Sequence, residues 1–199
     1  PLFPLNLNKN KINRTVKLLK SKFSKKYTVG ISLSLNKKSH SKVSKEKLTL
    51  ISKLIEEKIY LKIFSRDPSR IKRLLPKSLF LEILDTSTKE KYTKAIAETT
   101  LFIIFEANIE TTYQYRHSGS IIELINNACI PIIPNLPILN SQIKNPCEIG
   151  LVYNINSDLK DIDKIIKNKI KLLKNNEKKF INNLEEYLTE RSKDIKIPL

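Results

Sequence analysis

The alternation of strand-like and helix-like segments is the feature that most restricts how this chain can fold. Apolar runs rich in strand formers lie at residues 27–35, 59–64, 79–84, 100–105, 128–133 and 149–153. Segments with apolar residues at helical spacing lie at 45–58, 68–75, 87–98, 118–127, 157–173 and 177–194. Parallel strands need crossover connections, which are usually helices. We therefore predict a Rossmann-like α/β fold, with a mostly parallel six-stranded sheet and helices on both faces.

Local signals refine several of these segments. Pro68 is placed to open a short helix, and Ser87 is placed to cap the next one, with Glu90 at the spacing of a capping box. Pro131 stands inside an otherwise continuous apolar run, and proline cannot donate a ladder hydrogen bond. We therefore expect Pro131 at a strand end or a bulge.

The length of 199 residues suits one domain with an appended element. Residues 1–26 are punctuated by proline and then strongly basic, and we predict a lead-in with a short basic helix over 14–23. Residues 27–176 are predicted to form the Rossmann-like domain, and residues 177–199 a C-terminal helix. The chain opens on Pro1 and contains no Met, as a fragment of a longer protein would.

The net charge of +17 first suggests a polyanionic partner. Lysine is scattered over the predicted helices and loops, without the interleaved aromatic residues of single-strand binders, so nucleic acid is not the favoured partner. The charge favours phosphate ligands and permits peripheral contact with an anionic membrane. Cys129 and Cys147 lack metal-ligand spacing, and we predict no metal site. The sequence has no apolar run of membrane-spanning length and no signal-peptide pattern, so we predict a cytoplasmic protein.

The most informative stretch for function is residues 113–123, which follows a buried strand and opens a helix. Ligands of open parallel sheets bind at the carboxyl ends of the strands, where free N–H groups of a helix start attract phosphate. Gly119 permits close approach of a phosphate, Ser118 or Ser120 can donate a hydrogen bond, and Arg116 offers a charged fork. An ordinary capped helix start and a solvated arginine are the alternatives.

Two further side chains of this stretch are candidates for ligand contact. Glu123 lies about one turn into the helix, where a carboxylate can accept hydrogen bonds from two ribose hydroxyls. His117 precedes the helix and is a weaker candidate, since a lone histidine in a loop usually has a structural or solvated role. A solvated helix glutamate is the alternative for Glu123.

Residues 116–124 (RHSGSIIEL), 127–134 (NACIPIIP) and 148–153 (EIGLVY) together resemble the carboxyl-terminal domain of GT-B glycosyltransferases. In that family a small-residue loop leads to a Glu-Ala/Leu helix, a Gly-x-Pro-Val-Ile strand and a Gly-x-Gly-Leu-Val turn and strand. Tyr115 stands where retaining members have the first of two glutamates. Ala128 or Cys129 stands where the family has the glycine before the strand.

The resemblance implies a glycosyltransferase whose donor is a nucleoside diphosphate sugar, with Glu123 at the ribose. By position after the early strands, Lys37, Lys38 and Arg66 are candidates to neutralise the diphosphate, and each is otherwise a solvated charge. No metal or other cofactor is implied, since cations and helix dipoles can stabilise the leaving group. The acceptor is unknown, catalytic residues are not assigned, and an acceptor-binding amino-terminal domain is expected outside this chain.

Two other classes of function remain open at the level of sequence. The chain is alternatively a non-catalytic Rossmann-like binding or scaffold subunit with anionic partners. A sugar-phosphate isomerase or another Rossmann-like enzyme would bind a sugar phosphate that has no nucleoside. The absence of Gly-x-Gly-x-x-Gly and Walker motifs disfavours ordinary dinucleotide enzymes and P-loop nucleotidases.

Overall fold

A computed structural model describes residues 8–33, 42–104, 119–144, 148–154 and 162–193. In these ranges the helices are α1 (Lys9–Phe23), α2 (Lys42–Glu56), α3 (Pro68–Lys72), α4 (Lys89–Ala97), α5 (Gly119–Asn126), α6 (Pro137–Lys144), α7 (Ile162–Asn175) and α8 (Glu177–Lys193). The strands are β1 (Thr28–Ser32), β2 (Tyr60–Ser65), β3 (Leu81–Asp85), β4 (Leu101–Ile103), β5 (Ile130–Pro134) and β6 (Leu151–Tyr153). All pairings are parallel, in the order β3-β2-β1-β4-β5-β6. The predicted six-stranded Rossmann-like fold is confirmed.

The central strands are buried on both faces of the sheet. Successive residues of β1, Val29 to Ile31, are all buried, as are all residues of β4 and β5. Side chains alternate between the faces of a strand, so this pattern requires packing on both sides. The strand order reverses between β1 and β4, and such a reversal opens a crevice at the carboxyl edge of an α/β sheet.

Several element bounds differ from the predicted ones. Strand β3 begins at Leu81, and Leu79, predicted as its first residue, is 93% exposed. Helix α4 is capped by Thr88, whose Oγ1 accepts from Lys91 N at 3.3 Å, and not by the predicted Ser87. The backbone N–H of Ser87 instead donates to Oδ1 of Asp85 at 2.9 Å. Helix α6 occupies a stretch for which the sequence analysis predicts no helix or strand.

Helix α1 is longer than the predicted basic helix and belongs to the hydrophobic core. It begins after Asn8, whose Oδ1 accepts from Lys11 N at 2.9 Å. Its apolar face is buried, with Leu19 only 1% exposed, and it packs against α8. The basic residues that dominate its sequence lie mostly on the opposite, exposed face, as expected for an amphipathic helix.

Gly30, in the middle of β1, allows the side chains of Phe102 and Thr99 to pack directly against the strand backbone. It lies between Lys62 of β2 and Phe102 of β4 in the sheet register. A Cβ at this position would lie 2.5 Å from Cδ2 of Phe102 and 3.0 Å from Cγ2 of Thr99. The space above Gly30 is therefore filled by the Phe102 ring, and a glycine is required here for close packing and not for a special backbone conformation.

Helices α2 and α5 end in the same left-handed turn, and each uses a residue other than glycine. Lys58 has φ 56° and Ala128 has φ 52°. In both turns the next residue donates back to the helix, Ile59 N to Leu54 O at 3.0 Å and Cys129 N to Leu124 O at 2.9 Å. This is the Schellman pattern, in which glycine is the preferred left-handed residue. Ala128, rather than Cys129, thus occupies the position where left-handed geometry favours the glycine of the family pattern.

Pro131 lies in β5 and costs no ladder hydrogen bond. Ile130 N donates to Thr100 O at 2.9 Å, so the next nitrogen, that of Pro131, faces the β6 side. Pairing of β5 with β6 begins one residue later, at Ile132 opposite Leu151. The proline therefore stands near the start of its strand, at a position where no donor is needed.

Candidate functional site

A cavity of about 780 Å³ opens at the carboxyl edge of the sheet. It lies at the ends of β1, β2 and β3 and beside the amino-terminal ends of α4 and α5. Its walls contain Ser32, Leu33, Phe64, Ser65, Arg66, Asp67, Ile71, Thr86, Ser87, Thr88, Lys89, Tyr92, Ser120 and Glu123. The volume falls in the range of about 300–1,000 Å³ that is typical of small-molecule pockets.

The floor of the cavity is apolar and rigidly packed. Leu33, Phe64 and Ile71 are at most 1% exposed. The ring of Phe64 contacts Tyr92 edge-on, with centroids 5.9 Å apart, and contacts Phe102 edge-on at 5.0 Å. These contacts fix the orientation of the Phe64 ring beneath the cavity.

The loop after β2 carries charges of both signs into the cavity. Arg66 and Asp67 are exposed, and Asp67 caps α3 by accepting from Arg70 N at 3.0 Å. Oγ of Ser65 accepts from Asp67 N at 3.0 Å, which fixes the start of the turn. The Asp67 carboxylate is thus engaged with the backbone, while the Arg66 guanidinium is exposed at the cavity wall.

The loop after β3 is held against β2 and forms a wall of hydroxyl groups. Thr86 N donates to Ser65 O at 2.8 Å, which extends the pairing of the two strands by one step. Asp85 accepts from the ammonium group of Lys91 and from Ser87 N. The hydrogen bonds from Lys91, and then those from Ser87, lower the pKa of Asp85 to about 2. The hydroxyl-bearing residues 86–88 are therefore presented from a well-anchored turn.

Helix α5 brings a carboxylate to the cavity from the other side of the sheet reversal. Glu123 is half-buried and Ser120 is exposed, and both line the cavity. Burial, and then the negative charge of Glu123, raises the pKa of Tyr92 to about 12. The Tyr92 phenol is consequently neutral at physiological pH and able to donate a hydrogen bond.

Of the residues predicted to bind a donor, Arg66, Ser120 and Glu123 are brought together at this cavity. Gly119 is the first residue of α5 and directly precedes Ser120. The remaining five, Lys37, Lys38, Arg116, His117 and Ser118, lie outside the described residues. The binding roles of all nine residues stay predictions.

Sequence reasoning did not identify several residues of the cavity. Ser65, Thr86 and Thr88 follow two of the predicted strands, so the rule that ligands bind at carboxyl ends could have found them. Tyr92 and Lys89 lie on α4, and no sequence pattern signals their direction. Within the described residues no group of three or more His, Cys, Asp or Glu is arranged to hold a metal ion. None of the described helices has the length and apolar character needed to cross a membrane.

Comparison with known proteins yields similarity at the level of fold only. No protein-family profile matches the chain, and no curated protein is similar to it in sequence. The solved structures it resembles include the α,α-trehalose 6-phosphate synthase of Burkholderia multivorans, with a TM-score of 0.56 and 9% identity over 96% of this chain and 46% of the synthase. The N-terminal domain of the Candida albicans trehalose-6-phosphate phosphatase gives 0.53 and 14% identity over 94% of this chain and 42% of that protein.

The pneumococcal O-GlcNAc transferase GtfA, solved in complex with UDP and GlcNAc, gives a TM-score of 0.52 and 11% identity. The match covers 84% of this chain and 32% of the transferase. The chain thus spans only 32% to 46% of the length of these three compared chains. The protein has a glycosyltransferase-like Rossmann fold, as expected from the resemblance to GT-B enzymes.

Proposed function

We propose that this chain is the donor-binding part of a glycosyltransferase and that a nucleoside diphosphate sugar binds in the cavity described above. The observation that carries this proposal is the joint presence of an apolar floor, a half-buried carboxylate and an exposed guanidinium in one cavity at the sheet reversal. In open α/β sheets this is the position at which nucleotides bind. The fold similarity to a transferase solved with UDP supports the same ligand class.

Each part of the cavity matches one part of such a donor. The half-buried ring of Tyr92, which lines the cavity and contacts Phe64 of the floor, suits a nucleobase, because flat rings stack on aromatic surface. The Glu123 carboxylate can accept hydrogen bonds from both ribose hydroxyls, and the Arg66 guanidinium can bind phosphate oxygens through two parallel N–H groups. Transfer would take place where an acceptor reaches the donor, and we infer that a further domain or a partner subunit supplies that acceptor surface.

A binding assay tests the ligand class directly. UDP, GDP and their sugars are titrated into the protein while its melting temperature is followed, with uridine, guanosine and inorganic diphosphate as partial ligands. A ligand at 100 times its Kd should stabilise the protein by about 2.7 kcal/mol. For a chain of this size that is a rise of roughly 5–10 °C. If no nucleotide shifts the melting temperature, the proposal is wrong. A response to sugar phosphates alone would favour an isomerase-like enzyme.

Two substitutions assign the roles inside the cavity. Arg66→Ala should weaken UDP binding by about tenfold and uridine binding hardly at all, because only the diphosphate meets the guanidinium. Glu123→Gln should weaken UDP and uridine by a similar factor, because both contain the ribose. Lys72→Ala and Glu186→Gln are the matched controls, since these exposed residues do not line the cavity. Equal losses of UDP and uridine binding in the Arg66 variant would contradict the assignment of the phosphate to this side chain.

A further inference from the structure

Lys22 is a buried lysine near the end of α1, with only 5% of its surface exposed. Its ammonium nitrogen Nζ donates to four backbone carbonyls. The distances are 3.1 Å to Ile96 O, 2.8 Å to Thr99 O, 2.7 Å to Asn127 O and 3.0 Å to Ala128 O. Three N–H groups thus serve four acceptors, so one proton is shared between two carbonyls.

The four carbonyls belong to the carboxyl-terminal ends of two helices. Ile96 lies in the last turn of α4, Thr99 follows its C-cap Glu98, and Asn127 and Ala128 lie just after α5. The last carbonyls of a helix lack partners within the helix and carry the negative end of its dipole, so a cation is stabilising there. Burial lowers the pKa of Lys22 to about 8, which leaves the charged form predominant at pH 7. The ammonium group of Lys22 therefore links α1 to the carboxyl-terminal ends of both α4 and α5.

Thr15 adds a second contact between α1 and α5. Its hydroxyl proton is shared between two acceptors, since Oγ1 lies within hydrogen-bond distance of Asn126 O, at 3.2 Å, and of Lys11 O in its own helix, at 3.0 Å. This contact reaches α5 but not α4. Helix α1 therefore contacts the carboxyl-terminal end of α5 through Thr15 and Lys22, which lie about two turns apart, and the carboxyl-terminal end of α4 through Lys22.

The same two helices line the cavity with their opposite ends. Thr88, Lys89 and Tyr92 come from the first turn of α4 and its cap, Ser120 comes from the start of α5, and Glu123 comes from the middle of α5. With nine and eight residues at 1.5 Å rise, the helices are about 12–14 Å long. The Lys22 ammonium group thus lies about one helix length from Lys89 and Ser120, and about half that distance along α5 from Glu123.

We propose that Lys22 is a positioning residue for the nucleotide site, because it fixes the carboxyl-terminal ends of the two helices that carry Tyr92 and Glu123 into the cavity. This rests on the proposed function for the identity of the ligand. The role of Lys22 in holding the helices does not depend on that identity. Lys22 reaches the ligand only through the rigid-body placement of α4 and α5.

The test combines amide hydrogen exchange with nucleotide affinity in four variants. Lys22→Met removes the charge and all donors, and Lys22→Arg keeps a charged donor group. Thr15→Val removes the Oγ1 contacts to Asn126 O of α5 and to Lys11 O of its own helix, and it leaves Lys22 and its contacts to α4 in place. Lys20→Met is the matched control, because Lys20 is exposed on the same helix. Exchange is compared between residues 92–98 of α4, residues 123–127 of α5 and the distant strand β2.

Lys22→Met should speed exchange in the α4 and α5 segments by about tenfold and weaken UDP binding by about tenfold, since a charged hydrogen-bond network is lost. Strand β2 and the Lys20 control should stay within about twofold, well inside the effect expected for one lost hydrogen bond. Lys22→Arg should restore most of both losses. Thr15→Val should speed exchange in α5 but not in α4.

Three results would count against the inference. Uniform acceleration of exchange in Lys22→Met would mean a general loss of stability, and unchanged UDP affinity in a wild type that binds UDP would mean that the helices are held in place without Lys22. If Lys22→Met does not fold, Thr15→Val provides the test. Amide exchange in α5 that is the same in Thr15→Val as in the wild type would show that α1 does not hold α5 in place. If the wild type binds no nucleotide, the proposed function fails, and the holding role then depends on the exchange results alone: it fails if exchange of α4 and α5 is unaffected or is accelerated no more than that of β2.

Discussion

Gly30→Ala should destabilise the protein by overpacking the core at a single, identifiable contact. The added Cβ would lie 2.5 Å from Cδ2 and 3.0 Å from Cε2 of Phe102, and 3.0 Å from Cγ2 of Thr99. Carbon atoms pack best at about 3.5–4.0 Å, so the Phe102 ring must retreat by about 1 Å. Thr99 cannot give way easily, because it is fully buried and its Oγ1 donates to Ala95 O at 2.7 Å. Overpacking of this kind costs about 1–3 kcal/mol.

The displacement of the Phe102 ring should also be detectable at a neighbouring residue. Phe102 contacts Phe64 edge-on at 5.0 Å, and Phe64 contacts Tyr92 edge-on at 5.9 Å. Because interiors are close-packed, a shift of Phe102 should move both neighbours. The ring resonances of Tyr92 in an NMR spectrum should therefore change in Gly30→Ala, even though Tyr92 lies at the cavity and not beside Gly30.

A double-mutant cycle with Phe102→Leu measures the contact itself. Urea unfolding gives the free energy of unfolding of wild type, Gly30→Ala, Phe102→Leu and the double variant. In the smaller Phe102→Leu background the alanine should cost at least about 1 kcal/mol less than in the wild type. Costs that agree within about 0.5 kcal/mol in the two backgrounds would refute the steric argument.

Two further predictions concern stability and pH. Lys58→Gly should raise the free energy of unfolding by about 0.5–1 kcal/mol, because Lys58 is an exposed residue strained in the left-handed region. Ala128→Gly should raise it by less, because the substitution also removes a buried methyl group. Urea unfolding of the two variants checks this order. The carboxyl ¹³C signal of Asp85 should titrate near pH 2 in the wild type and closer to its ordinary value of 3.8 in Lys91→Met. Since the folded pKa is lowered, this carboxylate stabilises the fold above about pH 4 and loses that contribution as the pH falls towards 2. An unchanged Asp85 titration in Lys91→Met would show that the lysine contact is not its cause.

The sequence predicts the fold well because the fold depends on periodic signals. The buried runs of β4 and β5, and the helical spacing between strands, follow directly from the apolar pattern. Helix α6 was not predicted, since it has only eight residues and follows closely after Pro131 and Pro134 of β5, and prolines favour loops over helices. The capping residue of α4 was predicted as Ser87 and is Thr88, because either of these adjacent hydroxyl residues fits the sequence preference for an N-cap.

The candidate site was predictable only in part, because tertiary contacts decide which side chains meet. Glu123 and Arg66 were identified from their places after predicted strands and at a helix start, and the structure brings both to one cavity. Tyr92 could not be identified, since its direction depends on the packing of α4 over Phe64. The burial of Lys22 could not be predicted either, because it is one of many lysines in a basic segment and only the structure distinguishes it from the exposed ones.

The burial of α1 bears on how the protein can be shortened. A form that begins at the first strand, near Thr28, would keep the whole sheet but would lose both Thr15 and Lys22. It would also expose the apolar surface of α8 that α1 covers, and exposed apolar patches favour aggregation. A minimal soluble unit for expression or crystallisation therefore has to include the helix from Asn8 onward, although its sequence has the basic, proline-flanked character of a dispensable leader.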